Sequence, residues 1–187
     1  MPSLGLGVSL GRGGFQEYVN PYTTFRTWDN DISLIGVTGF QLLNWVGTGA
    51  TTLSFETAAL DGVTDYAKLL VNITQTNNCM WRDNSVLDDD GLAINFADYT
   101  KYRVQAKLYC ILDSSRTQIT FSTSFGQTSQ DRFQTTLQDQ TWTNIDTSGT
   151  FSSGSGTHFY LWDFDQAGNF PIAGESFYLK DVSLSLG

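Results

Sequence analysis

The stretch that most constrains the fold is Ser176 to Leu186, read as Ser-Phe-Tyr-Leu-Lys-Asp-Val-Ser-Leu-Ser-Leu. Aromatic, aliphatic and small hydroxyl residues alternate along it, with Tyr178, Val182, Leu184 and Leu186 on one parity and Lys180 as the exception. That pattern predicts a β-strand with one buried face. Left unpaired, such a strand would expose an apolar face and a row of N–H and C=O groups, so it must lie inside a sheet. The expected neighbours are the strands carrying Trp142 and Phe159.

The rest of the chain repeats the theme. Apolar runs fall at residues 32–37, 51–56, 66–74, 99–112, 117–125, 132–137, 142–151, 157–164 and 176–186. Turn signals separate them, among them Asp61-Gly62, Asn77-Asn78, Asp90-Gly91, Ser114-Ser115 and Ala167-Gly168-Asn169. No helical pattern exceeds one turn, and short strands at this spacing predict an all-β sandwich or jelly roll. The length of 187 residues suits one domain, here residues 27–187.

Alternation also assigns faces. Tyr102, Val104, Ala106, Leu108 and Cys110 are predicted to point inward, leaving Lys101, Arg103, Gln105, Lys107 and Tyr109 outside. In residues 157–164, Phe159 and Leu161 point in and His158, Tyr160 and Trp162 point out. Tyr109, Tyr160, Trp162, Arg103 and Gln105 are therefore the candidate glycan or partner contacts, while Trp142 is expected in the core with Phe151.

Residues 1–26 have a different texture. Gly5, Gly7, Gly11, Gly13 and Gly14 punctuate Leu4, Leu6, Val8, Leu10 and Phe15, which reads as an extended, hydrophobic assembly arm. Fixing so many glycines is entropically costly, so order must come from its own domain or from neighbouring subunits, and the glycines favour the neighbours. The segment lacks a basic start and an unbroken apolar run, so it does not read as a signal peptide, and the expectation is a protein made and folded in a cytoplasm. No run approaches a membrane span.

A net charge of −9 opposes a grip on phosphate backbones, so nucleic acid is not an expected partner. Cys79 and Cys110, the only cysteines, form no zinc site; Cys110 reads as a small buried hydrophobe, with a Cys79 to Cys110 bridge as the alternative. His158 is the only histidine and lacks the setting of a nucleophilic triad. Carboxylate pairs for a glycosidase exist on paper in Asp163 with Asp165 or Glu56 with Glu175, yet an enzyme is not the expectation. Asp88-Asp89-Asp90-Gly91 reads as a solvated acidic turn.

The succession Tyr66-Ala67-Lys68-Leu69-Leu70-Val71, Tyr99-Thr100-Lys101-Tyr102-Arg103-Val104, Trp142-Thr143-Asn144-Ile145, Phe159-Tyr160-Leu161 and Phe177-Tyr178-Leu179-Lys180-Asp181-Val182 resembles the jelly-roll carbohydrate-binding modules found beside xylanases and glucanases. The resemblance covers residues 27–186. It implies glycan binding by exposed aromatics and amides on one sheet, and a structural calcium with Asp181 as its candidate ligand. That family usually opens on an Asn-Pro-Phe-Glu-like strand, where this chain has Asn20-Pro21-Tyr22-Thr23. Leu4-Gly5-Leu6-Gly7 with Gly13-Gly14-Phe15 resembles the leaders of small virion proteins of tailed bacteriophages. Together these imply a virion structural protein, assembled in the host cytoplasm and contacting other virion proteins, copies of itself and host surface glycans; a carbohydrate-binding module, free-standing or appended to an enzyme, is the alternative.

Overall fold

In the computed structural model, the residues described are 23–28, 41–43, 49–76, 79–83, 95–125, 131–151, 159–164 and 169–187. The expectations for Leu4, Leu6, Val8, Leu10 and Phe15, for residues 32–37, for the acidic turn at Asp88 and for His158 lie outside them.

Among the described residues, eleven strands form two sheets: β1 (Thr23–Trp28), β2 (Gln41–Leu43), β3 (Thr51–Glu56), β4 (Tyr66–Val71), β5 (Cys79–Asp83), β6 (Lys101–Ile111), β7 (Gln118–Phe125), β8 (Asp131–Gln138), β9 (Thr143–Thr150), β10 (Phe159–Phe164) and β11 (Ser176–Leu186). The first sheet runs β3-β4-β11-β6-β9, with β1 also paired to β11. The second runs β2-β5-β10-β7-β8. Every pairing is antiparallel. This is the all-β jelly-roll sandwich the turn spacing predicts.

The last strand lies inside its sheet, as its composition demands. Its neighbours correct the expectation: β6 pairs one edge, while β4 takes the first half of the other edge and β1 the second half. The strands of Trp142 and Phe159 do not touch it through backbone bonds. β1 starts at Thr23, opposite Leu186, so the sheet already includes residues on the arm side of position 26.

A bulge explains the odd parity of β11. The register with β6 slips between Lys180 and Ser183, where Asp181 adopts a φ of 52°. One extra residue reverses which side chains face the core. Phe177 and Leu179 therefore point inward before the bulge, and Val182, Leu184 and Leu186 after it, all 3% exposed or less. Tyr178 points outward, against the single-parity expectation, and Lys180 donates from Nζ to the Thr64 carbonyl at 2.6 Å.

Between the sheets lies an aromatic core. Trp162 stacks on Phe121 with centroids 5.3 Å apart, Phe159 stacks on Phe125 at 5.3 Å, and Phe177 meets Trp162 edge-on at 4.7 Å. From β6 come Tyr102, Val104, Ala106, Leu108 and Cys110, the five residues that alternation turns inward. Opposite Tyr102 in the ladder stands Gly149, where an added Cβ would lie 2.5 Å from the phenol oxygen. Only glycine leaves room for that ring.

Cys110 carries a free thiol, so the buried-hydrophobe reading holds and the bridge does not. Its Sγ donates weakly to the Gln138 carbonyl at 3.5 Å. Burial, more than the nearby carboxylates, pushes the thiol from 9.0 up to about 12. Tyr66, Tyr109 and Tyr178 are also raised, burial first in each case. These groups deprotonate first in the unfolded chain, so folding stability is fully present below about pH 9 and falls as pH rises toward 12. Thermal melts should accordingly hold a steady midpoint at neutral pH and show a midpoint that drops progressively through the alkaline range.

Candidate functional site

A second register slip decides the site. β10 is interrupted between Tyr160 and Asp163 against β7, and between Tyr160 and Trp162 against β5. Leu161 is the extra residue, and Thr123 donates its hydroxyl to the Leu161 carbonyl at 2.8 Å, satisfying a group the broken ladder would leave open. Beyond the bulge the faces reverse. Trp162 turns into the core at 0% exposure, and Asp163 turns outward.

This corrects the expectation that Tyr160 and Trp162 form an exposed ring pair. Trp162 cannot meet a ligand. Tyr160 does face outward, but at 7% exposure it sits deep in its surface.

The ladder then builds two rows across the outer face of the second sheet. Tyr160 pairs with Arg82 on one side and Ser124 on the other, and Ser124 pairs with Arg132. Asp163 likewise pairs with Met80 and Ser122, and Ser122 with Gln134. Among these, Tyr160, Ser124 and Arg132, and likewise Asp163, Ser122 and Gln134, share the outer face. The centre of this face is polar and buried: Ser122 and Ser124 are each 1% exposed, and Asp163 7%. The edge strand carries exposed Arg132 and Gln134.

The hydroxyls of Ser122 and Ser124 find no hydrogen-bond partner among the described residues. A buried hydroxyl left so costs about 1–3 kcal/mol. Sequence reasoning did not single out Ser122, Ser124, Arg132 or Gln134. The available signal was the alternation of Ile119, Phe121 and Phe125 with Thr120, Ser122 and Ser124.

The other candidates lie on the opposite sheet. Tyr109 faces outward as predicted but is 4% exposed, because the Leu60–Val63 hairpin and Trp142 cover it. Trp142 belongs to this outer cluster with Tyr66, Tyr109 and Tyr178, not to the main core, and its indole N–H donates to the Leu60 carbonyl at 3.0 Å. Arg103 forms a two-pronged pair with Asp146, both contacts 2.7 Å, and Gln105 donates to the same carboxylate at 3.3 Å. The Arg103 hydrogen bond is the main reason Asp146 titrates below the usual carboxylate range. Tyr160 and the group of Tyr109, Arg103 and Gln105 thus stand on opposite faces and cannot form one site.

Asp181, the candidate calcium ligand, is exposed on its bulge. Among the described residues no three His, Cys, Asp or Glu side chains gather into a metal-holding group. Glu175, paired on paper with Glu56, is buried under its own donors and faces no cleft. No helix among the described residues is long and apolar enough to cross a membrane.

The same architecture recurs in solved structures. The C-terminal family 22 carbohydrate-binding module of Clostridium thermocellum Xyn10B superposes with a TM-score of 0.52 at 8% identity, covering 90% of this chain and 94% of the module. A xylan-binding domain of the same module family gives a TM-score of 0.53 at 8% identity, covering 87% of this chain and 94% of that one. The enzymatically active domain of bacteriophage CBA120 tailspike protein 4 gives 0.56 at 10% identity, covering 84% of this chain and 21% of that one. No family model matches the sequence, and no curated protein does. The chain therefore has the two-sheet fold of xylanase-associated carbohydrate-binding modules, and none of these likenesses supports the leader resemblance.

Proposed function

We propose that this chain is a non-catalytic glycan-binding sandwich that receives a polysaccharide strand across the outer face of its second sheet. The observation that carries the reading is the pair of buried, unpartnered hydroxyls of Ser122 and Ser124 beside Tyr160 and Asp163. Sugar hydroxyls donate and accept at once, so they suit a row of serine hydroxyls with the Tyr160 phenol beside it. The likeness to modules whose names state ligand binding in a cleft and xylan binding agrees with this choice.

The test is calorimetric titration with soluble xylan, with β-glucan and mannan beside it. The double variant Ser122→Ala, Ser124→Ala should bind at least about tenfold more weakly while the free protein becomes more stable by about 1 kcal/mol. Those opposite signs are the mark of hydroxyls kept for a ligand. Unchanged binding of all three glycans by the variant, or no binding of any by the parent protein, would sink the reading.

A second reading has its own support in the tailspike likeness. In it the sandwich is a virion component turned toward host glycans, and the arm is its anchor. Because β1 begins at Thr23, the informative truncation removes residues 1–22. Loss of incorporation into particles with glycan binding intact is the expected result, and full incorporation of the truncated chain counts against it.

A further inference from the structure

The outer face of the first sheet holds a separate groove of about 240 Å³, lined by Gln105 and Lys107 of β6, Asn144 and Asp146 of β9, and Asp181 on the β11 bulge. We infer that this groove is a second ligand site and takes a neutral polyhydroxylated ring, a single pyranose or the end of a glycan. The inference stands apart from the Ser122 and Ser124 face of the other sheet.

Three features of the groove carry it. The first is charge. Arg103 neutralises Asp146 through two 2.7 Å contacts, and the remaining charged side chains of the lining are one cation, Lys107, and one anion, Asp181, so the formal charges of the groove sum to zero. The second is that the polar groups are held before any ligand arrives. Asp146 is fixed by Arg103, the Gln105 amide by Asp146 at 3.3 Å, and the Lys107 ammonium by the Trp142 ring 5.7 Å away. The lining so offers both donors and acceptors around one small volume, as the hydroxyls of a sugar ring require, and preorganisation lowers the cost of binding.

The third is the bulge itself. A φ of 52° is uncommon for a residue with a side chain, and here it sets Asp181 at the groove instead of in the ladder. Bulges often re-aim a side chain in this way, and strained backbone collects where a side chain must be presented. The volume lies below the ~300–1,000 Å³ usual for larger ligands, which favours one ring over a chain.

The test is a two-dimensional amide NMR titration of the full chain with the methyl glycosides of xylose, glucose and galactose, with glucuronate and calcium chloride as controls. At least one neutral glycoside should shift the backbone amides of Ala106, Ile145 and Asp181, while the two controls leave them in place. Asp181→Gly removes the carboxylate and relaxes the backbone, so it should fold normally and weaken this response by at least about tenfold. The Ser122→Ala, Ser124→Ala variant should leave the response unchanged. Shifts confined to the Tyr160 face would overturn the second site while supporting the first. A groove that answers to calcium or glucuronate, or to none of the sugars, would overturn it as well.

Discussion

Replacing Glu175 with leucine should destabilise the fold by about 3–5 kcal/mol in urea unfolding, the cost of breaking a buried ion pair from one side. The Glu175 side chain has 0% exposure and its partner Arg116 only 14%. One carboxylate oxygen accepts from the Asp113 N–H at 3.1 Å and from Arg116 Nε at 2.6 Å. The other accepts from the Ile172 N–H at 2.8 Å and from Arg116 Nη2. Four donors from three residues thus converge on one carboxylate, which ties the β6–β7 turn to the approach of β11. Leucine would strand the guanidinium and two backbone N–H groups together. Adding Arg116→Met to the same chain should recover much of the loss, because the remaining pair is apolar and only the backbone donors stay unmet. A single variant that costs less than about 1 kcal/mol would show that solvent reaches this network and that it does not hold the loops.

Glu175 also marks a limit of the sequence. As an acidic residue at a strand start it could be paired with Glu56 on paper as a catalytic couple, and only its burial reveals a packing role. Where strands are regular, alternation was enough: the inward set of β6, from Tyr102 to Cys110, stands as its pattern reads. Alternation failed at β10 and β11, and for one reason. Each carries a bulge, and one extra residue sends every later side chain to the other face. In β11 the polar pair Lys180-Asp181 inside an apolar run is a visible trace of that break. In β10 no glycine or turn residue betrays it, since Phe-Tyr-Leu-Trp suits either face.

Cover from a distant loop left even less trace. Tyr109 lies on the outer side as its parity says, yet Leu60, Val63 and Trp142 enclose it through contacts that no local pattern encodes. β1, β2 and β5 were missed because they are mixed in composition, and β2 and β5 are also short. The candidate face of the second sheet was half legible. Tyr160 announces itself as an aromatic on a strand, whereas Ser122 and Ser124 look like ordinary surface serines until their burial is known.

The β10 bulge leads to a sharp contrast between neighbours two positions apart. Trp162→Ala should cost about 3–5 kcal/mol of stability, as large aromatic truncations in packed cores do. The indole is 0% exposed, stacked on Phe121 at an interplanar angle of 15° and met edge-on by Phe177 at 87°. Tyr160→Ala removes a ring from the outer face instead, so beyond the stability lost with a ring only 7% exposed it should also lower glycan affinity. Both variants can be compared by urea unfolding and, under conditions where each is folded, by titration with the glycan the parent protein binds. The expected outcome is a destabilised Trp162→Ala protein whose folded fraction binds normally, against a Tyr160→Ala protein whose folded fraction binds at least about tenfold more weakly. The reverse pattern, a stable Trp162→Ala chain that has lost its ligand, would mean that β10 runs without its bulge. It would also return both rings to one exposed face and remove Ser122 and Ser124 from the centre of the site.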